Sequence, residues 1–288
     1  MTETQATVAV IGAGGKMGQR ISNNLARGDY RILYAENSPK GQEYITGLGR
    51  ELTESHEAAS RADVVILAVP DILLGKISAD IVPAMKPGAI LLTLDPAAAY
   101  ANLLYRRDGI AYAVAHPSHP SVFLERTTKE EHADTFGGIA APQDVVAAFE
   151  DGDQAGRDLV ESVVRIAYGP VVDVHWVTVK QLAVLEPTLV ETVACMIGAL
   201  LKEALAETVN TVGVPEAAAR AMLLGHTQVA LANTLRGSNP FSDACLIAMD
   251  YGRETIVKDD WKKIFDDSEL DKVLARMLHL DAIDRTSA

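Results

Sequence analysis

Apolar runs alternate with segments of helical or loop character along the N-terminal part of the chain. The runs are short, continuous and rich in β-branched residues, which is typical of strands that are buried on both faces of a parallel sheet. The intervening segments are long enough to form crossover helices. The five predicted strands cover residues 8–11, 30–35, 64–69, 89–94 and 110–115.

The pattern changes after His175. Before it, strand-like pieces are expected at 138–140, 145–149 and 171–174, with a helix at 155–167. After it, apolar residues recur with helical spacing over 177–211 and 215–235, and the chain up to Leu280 reads as helical or irregular. We therefore expect two domains, an α/β domain of residues 1–175 and an all-helical domain of residues 176–288.

A glycine-rich stretch, GAGGKMG at 12–18, separates the first strand from a segment whose apolar residues have helical spacing. The order is strand, tight turn and helix, and Gly12, Gly15 and Gly18 fit the spacing G-x-x-G-x-x-G. Such a turn leaves the first N–H groups of the helix facing outward, where they suit a phosphate. The residues expected to bind the cofactor here are Gly12, Ala13, Gly14, Gly15, Lys16, Met17 and Gly18.

An acidic residue follows the second strand. Glu36 lies 18 residues after Gly18, where a carboxylate accepts the ribose hydroxyls of adenosine and repels a 2′-phosphate. The context predicts a Rossmann-type, doubly wound parallel sheet that binds NAD rather than NADP, although Lys40 and Arg50 lie nearby in the sequence. The end of the third strand, at Val69, Pro70 and Asp71, is expected to complete the cofactor site, because ligands bind at the carboxyl ends of such strands.

Charge and composition narrow the classes of partner. The chain has 288 residues, a formal net charge of −13 and 48% hydrophobic residues, which is enough for a substantial core. Extended binding to phosphates requires clustered Lys and Arg, so we expect no nucleic-acid or anionic-membrane partner. An anionic substrate must then meet a local cationic site.

The N-terminus lacks the basic start and apolar run of a secretory signal, which favours a cytoplasmic protein. The longest apolar stretch, 182–201, contains Glu186, Pro187 and Glu191, so we expect a buried helix rather than a membrane span. Because that helix is apolar nearly all round, we also expect it to form a homodimer interface. Cys195 and Cys245 are expected to be buried thiols.

Two histidines stand at the end of the fifth strand, in the sequence HPSHP. His116 and His119 at a ligand crevice suit a metal ligand or an acid–base group, while a rigid loop with capping histidines is the structural alternative.

Three further candidates lie on the first helix of the second domain. Lys180 and Glu191 fall on one side of an unbroken helix, and Glu186 faces elsewhere unless Pro187 kinks the axis. A buried ion pair or a subunit contact would equally explain charges in so apolar a segment. A divalent cation held by Glu186 and a loop histidine would satisfy both groups.

These motifs together resemble the NAD-dependent D-apionate oxidoisomerases. The matching segments are VAVIGAGGKMG, Glu36, ADVVILAVPD at 62–71, AHPSHPSVF at 115–123 and VTVKQLAVLEP at 177–187. The family in turn resembles the 6-phosphogluconate and β-hydroxyacid dehydrogenases and the ketol-acid reductoisomerases. The lysine helix departs from the 6-phosphogluconate pattern, because Val184 and Pro187 occupy the positions of its asparagine and glutamate.

The resemblance implies a reaction in which NAD takes hydride from a branched sugar acid while a carbon substituent migrates. It implies that His116 and Glu186 bind one divalent metal, zinc or similar. The catalytic candidates, chosen from their places in the sequence, are His116, His119, Lys180 and Glu191. Two other functions remain open. The first is a metal-independent β-hydroxyacid or prephenate-type dehydrogenase in which His116 is the base, and the second is a non-catalytic NAD sensor.

Overall fold

A seven-stranded sheet forms the core of the N-terminal part in the computed structural model, which describes residues 5–284. Its spatial order is β2-β1-β3-β4-β5-β6-β7, and every neighbouring pair is parallel except β5 and β6. The predicted doubly wound α/β fold is therefore confirmed. The strands are β1 (Thr7–Ile11), β2 (Arg31–Ala35), β3 (Val64–Leu67), β4 (Ile90–Thr93), β5 (Ala111–Pro117), β6 (Gln143–Glu150) and β7 (Val171–Trp176).

Helices connect these strands. In α1 the side chains of Ile21 and Leu25, four residues apart, are fully buried, because this spacing places them on one face of the helix. The same helix packs against α7. The helices are α1 (Lys16–Leu25), α2 (Pro39–Gly47), α3 (Ser55–Arg61), α4 (Asp71–Ile81), α5 (Ala97–Tyr100), α6 (Lys129–Ala133) and α7 (Gln154–Ala167).

The register of the parallel strands aligns their carboxyl ends. Leu67 at the end of β3 pairs with Ile11 of β1 and with Thr93 of β4, and Thr93 pairs with Val114 of β5. The residues that follow these positions therefore lie along one edge of the sheet, which is where an open α/β sheet binds its ligands.

The prediction of a strand at 138–140 is wrong. This segment consists of bends, and the carboxylate of Asp134 accepts hydrogen bonds from the N–H groups of Gly137, Ile139, Ala140 and Ala141. One side chain thus satisfies the donors that a sheet neighbour would otherwise take.

The chain divides into two compact units. The first runs to Val184 and includes the chain from Asp271 onward, and the second is Leu185–Leu270. The division that the sequence indicates at 175/176 remains a prediction of domain organisation. The C-terminal helices are α8 (Val179–Ala183), a π-helix (Val184–Cys195), α9 (Met196–Asn210), α10 (Glu216–Arg236), α11 (Asp243–Ile256) and α12 (Asp267–Met277).

The π-helix has a local cause. Pro187 lies inside it, and proline removes one backbone donor and crowds the preceding turn. The hydroxyl of Thr192 donates a hydrogen bond of 2.8 Å to the carbonyl of Pro187, five residues earlier. The unbroken α-helix assumed from the sequence is therefore wrong between residues 184 and 195, and spacing alone does not fix which residues share a face there.

The helix Val179–Asn210 is long and apolar enough to cross a membrane by length and composition, although such a helix is weak evidence for a span. In its most apolar window 17% of the residues are buried within the single chain, and the burial of this helix in a homodimer interface stays a prediction. Cys195 is exposed and Cys245 is half-buried. The prediction that both thiols are buried is therefore wrong for this chain. The apolar surface of this segment needs another explanation than an intrachain core.

Candidate active site

The glycine turn after β1 is shaped by close backbone approaches. Gly12 has a φ of +83°, and a Cβ there would lie 2.5 Å from the carbonyl oxygen of Ala68. A Cβ on Gly14 would lie 2.3 Å from the Cα of Gly41, and one on Gly18 would lie 1.9 Å from the carbonyl oxygen of Gly12. Side chains are therefore excluded at all three positions.

The start of α1 offers donors for an anion. Gly15 is the N-cap residue and has no side chain to cap the helix, so the first N–H groups face the crevice without a side-chain acceptor. The helix dipole adds positive potential at the same place. The turn from Gly12 to Gly18 thus has the chemistry of a pyrophosphate site.

Glu36 is fixed beside this turn. One carboxylate oxygen accepts a 2.8 Å hydrogen bond from the N–H of Gly14. The other accepts hydrogen bonds from the N–H groups of Asn37 and Ser38, at 2.9 and 2.8 Å. A cavity of about 310 Å³ lies next to it, lined by Gly12, Glu36 and Asp80 among others. The carboxylate is thus held where it can meet the adenosine ribose.

A second cavity, of about 410 Å³, lies at the carboxyl ends of β1, β3, β4 and β5. Val69 and Pro70 line both cavities, so a dinucleotide can extend from one to the other across these residues. The second cavity is lined by Gly15, Lys16, Met17, Ala68, Val69, Pro70, Asp71, Leu94, Asp95, His116, Pro117, His119, Phe136 and Tyr168. It therefore receives both histidines of the HPSHP sequence.

The two ring nitrogens of His116 have different roles. Its Nδ1 lies 3.0 Å from the carbonyl oxygen of Leu94, and since a carbonyl can only accept, Nδ1 carries the proton and Nε2 has a lone pair. Burial lowers the pKa of His116, so the imidazole is neutral near pH 7. A neutral imidazole whose Nδ1 donates to a carbonyl is suited to bind a metal or accept a proton through Nε2.

His119 is held in the same way from a different element. Its backbone has a φ of +60°, and its Nδ1 lies 2.7 Å from the carbonyl oxygen of Phe136. The rings of His116 and His119 are 6.2 Å apart at their centroids, with an interplanar angle of 85°. The structure therefore brings the two predicted histidines together at one cavity.

Two carboxylates also line this cavity. Asp95 follows β4, and one of its carboxylate oxygens lies within 4.8 Å of a ring nitrogen of His116. It also accepts a 2.8 Å hydrogen bond from the N–H of Ala97, at the start of α5. Burial, and secondarily the charge of Asp95, raises the pKa of Asp71 to about 6. Asp95 is not among the site residues predicted from the sequence. Its signal was the sequence DP at a strand end.

The three helix candidates differ in exposure. Glu186 is buried, with 6% of its surface exposed, on the π-helical segment after α8. Lys180 in α8 is exposed, and so is Glu191 in the π-helix. Among the three, Glu186 is thus the carboxylate with the greatest need of a compensating partner.

Two family models match the chain. Residues 124–278 match the model described as phosphogluconate dehydrogenase (decarboxylating), C-terminal. Residues 2–94 match the model described as D-isomer specific 2-hydroxyacid dehydrogenase, NAD binding domain.

Individual relatives match over nearly the full chain. A D-apionate oxidoisomerase from Pectobacterium atrosepticum is 63% identical over 97% of this chain and 98% of its own. One from Cupriavidus necator is 41% identical over 94% of this chain and 98% of its own.

Solved structures are also similar to this chain. A semialdehyde dehydrogenase NAD-binding protein from Cupriavidus necator, in complex with calcium and NAD, has a TM-score of 0.90 and 41% identity, over 95% of this chain and 100% of that one. An NADH-preferring ketol-acid reductoisomerase from an uncultured archaeon has a TM-score of 0.64 at 17% identity, over 95% of this chain and 82% of that one. At that identity the second match shows the fold alone.

Proposed function

The chain belongs to the D-apionate oxidoisomerase family, and from this premise we propose that it oxidises D-apionate with NAD and rearranges its carbon skeleton to a 3-oxo-isoapionate type product. The predicted NAD-dependent dehydrogenase is confirmed by the family and by the matched NAD-binding domain. The observation that carries the substrate is the 63% identity to the Pectobacterium atrosepticum enzyme over 97% of the chain.

The residues of the first cavity suit the adenosine half of the cofactor. Glu36 would accept the ribose hydroxyls, and the start of α1 would receive the pyrophosphate, as the hydrogen bonds around Gly14 and the uncapped Gly15 favour. Bound NAD supplies the hydride acceptor. Val69, Pro70 and Asp71 would then flank the nicotinamide end, because they line the second cavity.

The donor set at the second cavity fits a divalent cation. A ring nitrogen of His116 and a carboxylate oxygen of Asp95 lie within 4.8 Å of each other, and nitrogen and oxygen ligands of this kind suit a divalent cation. We propose that His116 and Glu186 hold the ion, with the carboxylate of Asp95 beside His116. The Cupriavidus necator protein, which is 41% identical, was crystallised with calcium and NAD. A bound divalent cation would supply Lewis-acid chemistry at this end of the cavity.

The proton chemistry would then belong to His119. Its Nδ1 donates to the carbonyl of Phe136, so Nε2 is the atom that can accept the proton of the substrate hydroxyl. Lys180 and Glu191 are further proposals for proton transfer, supported only by their place on the helix that follows β7. In the metal-independent alternative, His116 would take the proton instead.

The proposed reaction is tested by incubating the purified protein with NAD and D-apionate. We expect NADH absorbance at 340 nm and a rearranged carbon skeleton in the NMR spectrum of the product. Linear four-carbon sugar acids serve as controls. NADH formation without rearrangement would indicate a simple dehydrogenase, and NAD binding without turnover of any acid would indicate a sensor.

The metal is tested separately. His116→Ala and Glu186→Gln should lower the metal content of the protein, measured by mass spectrometry of the ions, and should reduce turnover by about 100-fold or more. NAD affinity should stay within about twofold, because the glycine turn is unchanged. His226→Ala, which alters a histidine of α10, is the control. Full activity in a strong chelator would contradict the metal and favour the metal-independent dehydrogenase.

A cytoplasmic location remains a prediction. We also propose that the chain forms a homodimer through the helices of the second unit. Large apolar side chains on α9, α10 and α11 are exposed on the single chain, among them Met196, Ile197, Met222, Leu224, Leu235 and Ile247. Monomers rarely expose large apolar patches, and a second copy of the same helices would cover these side chains.

A further inference from the structure

The second cavity is lined by two acidic side chains and one basic side chain. Among its described lining residues, Lys16 is the sole lysine or arginine, while Asp71 and Asp95 contribute carboxyl groups. A sugar acid carries a carboxylate, which two acidic neighbours repel. In addition to the proposed divalent cation, a basic side chain in this cavity would therefore favour binding of the substrate's carboxylate.

The ammonium of Lys16 points toward the histidine side of the cavity. Lys16 is the first residue of α1 and is exposed, and its Nζ lies 5.9 Å from the centroid of the Phe136 ring. That ring is in turn 4.5 Å from the ring of His119. Within residues 5–284 the ammonium forms no salt bridge with a carboxylate. It is therefore available to an anionic ligand.

The wall beside this ammonium is fixed. The carbonyl of Phe136 accepts a hydrogen bond from His119, and Asp134 anchors the following loop. Arg20 stacks 4.4 Å from the Phe136 ring and donates to the carbonyl of Gly137 at 2.8 Å. Arg20 is thus committed to the loop, whereas Lys16 has only the ring as a partner.

We infer that the Lys16 ammonium binds the carboxylate of the sugar-acid substrate, while the backbone N–H groups at the start of the same helix receive the cofactor phosphates. The inference rests on the proposed function. At one helix terminus, the side chain would then bind the substrate carboxylate and the backbone would bind the cofactor phosphates. An ammonium–carboxylate contact in a half-enclosed site discriminates strongly for an acid over a neutral sugar alcohol.

The test compares Lys16→Gln, Lys16→Arg and the control Lys76→Gln, in which an exposed lysine of α4 loses the same charge. We expect Lys16→Gln to raise the KM for D-apionate at saturating NAD by about tenfold or more. Lys16→Arg should restore part of the effect, and Lys76→Gln should match the wild type. Calorimetry with NADH-loaded protein measures D-apionate binding without turnover, and the matching alditol, in which CH2OH replaces the carboxylate, is the neutral probe.

The outcomes separate this inference from the proposed function. Weaker D-apionate binding in Lys16→Gln, with unchanged affinity for NADH and for the alditol, supports it even where no oxidation occurs. Missing oxidation would contradict the proposed function alone, and absence of D-apionate binding to the wild type would contradict both. Unchanged D-apionate affinity in Lys16→Gln, an equal loss for the alditol, or a loss confined to NADH would overturn the inference.

Discussion

The acidic side chains around the cofactor turn differ in their hydrogen-bond partners, and those partners determine what each one can do. Glu36 accepts three backbone N–H groups, which fix the position of its carboxylate. Asp71 is partly buried beside a second carboxyl group, which disfavours its charged form. One carboxylate is therefore placed to select a cofactor, whereas the other takes up a proton at a higher pH than an ordinary aspartate does.

Glu36→Gln should relax the preference for NAD over NADP. The substitution keeps an acceptor oxygen beside Gly14 but removes the charge that repels a 2′-phosphate, so the ratio of the two Kd values should fall by about tenfold, or about 1.4 kcal/mol. Fluorescence titration with both cofactors measures this ratio. Glu43→Gln on the exposed face of α2 is the matched control. Equal affinity of the unaltered protein for NAD and NADP would contradict the role of Glu36.

Asp71→Asn should stabilise the ligand-free protein at neutral pH. The pKa of Asp71 is raised from its ordinary value of 3.8 to about 6, so the folded state binds the proton more tightly than the unfolded state. The charge of Asp71 therefore does not destabilise the folded state below about pH 4, and it destabilises the folded state to its full extent above about pH 6. Allowing for solvent screening, we expect a gain of about 1 kcal/mol at pH 7.

Chemical denaturation at pH 4, 5, 6 and 7 tests this expectation. The difference between Asp71→Asn and the wild type should grow across this range, whereas Asp108→Asn, at an exposed position, should show a constant difference. A stabilisation that is equal at all four pH values would mean that the Asp71 charge is not its origin.

At the scale of single residues, sequence reasoning identified groups whose role depends on local chain order. Gly12 and Gly14 lie in the turn after β1, Gly18 lies in the first turn of α1, and Glu36 directly follows β2. Asp95 was missed because its relation to His116 depends on the pairing of β4 with β5. Local sequence shows only an aspartate before a proline at the end of a strand.

Among the secondary-structure elements, the turn between β1 and α1 has the least tolerance for added atoms. Gly18→Ala would place a Cβ 1.9 Å from the carbonyl oxygen of Gly12, so the helix must move away from the turn. We expect a loss of about 2 kcal/mol in the free energy of unfolding and weaker NAD binding. Gly47→Ala at the end of α2, where a Cβ meets nothing within 4 Å, should be neutral or slightly stabilising.

Urea denaturation and NAD titration of the two glycine variants provide the measurement. Because both substitutions add one methyl group to a helical glycine, helix propensity favours both equally. A Gly18→Ala protein as stable and as tightly bound to NAD as Gly47→Ala would show that the close approach at Gly18 does not limit the turn.

Apolar runs predicted the parallel strands well because each is buried on both faces, which leaves a continuous signal in the sequence. Two features escaped this reasoning. The segment 138–140 has an apolar composition, but the Asp134 carboxylate satisfies its donors in place of a strand neighbour. The π-helix at Val184–Cys195 depends on how a proline is accommodated inside a long helix, and spacing rules that assume 3.6 residues per turn cannot express that.

At the scale of the whole molecule, the two units have contrasting surfaces. The first buries the apolar side chains of its central strands β1, β3 and β4, whereas the helices of the second expose large apolar side chains on the single chain. Composition could not distinguish these cases, because an apolar helix has the same sequence pattern in a core, in a membrane or in a subunit interface. Exposure favours the interface that the sequence also predicts.

The homodimer can be tested with two substitutions of nearly equal exposure. Leu224 in α10 is 66% exposed on the single chain and Val172 in β7 is 65% exposed. Each is replaced by glutamate, which adds the same charge at the same degree of solvent contact. If the second unit forms the interface, burying a charge there is costly. Leu224→Glu should therefore dissociate the dimer, while Val172→Glu should leave it intact.

Sedimentation velocity at micromolar concentration decides between these expectations. The wild type and Val172→Glu should sediment at twice the chain mass of 30.8 kDa, and Leu224→Glu should approach the mass of one chain. A wild type that sediments as a monomer would contradict the dimer. Dissociation by Val172→Glu with Leu224→Glu unaffected would move the interface to the sheet edge of the first unit, and the apolar helices would then need a different partner.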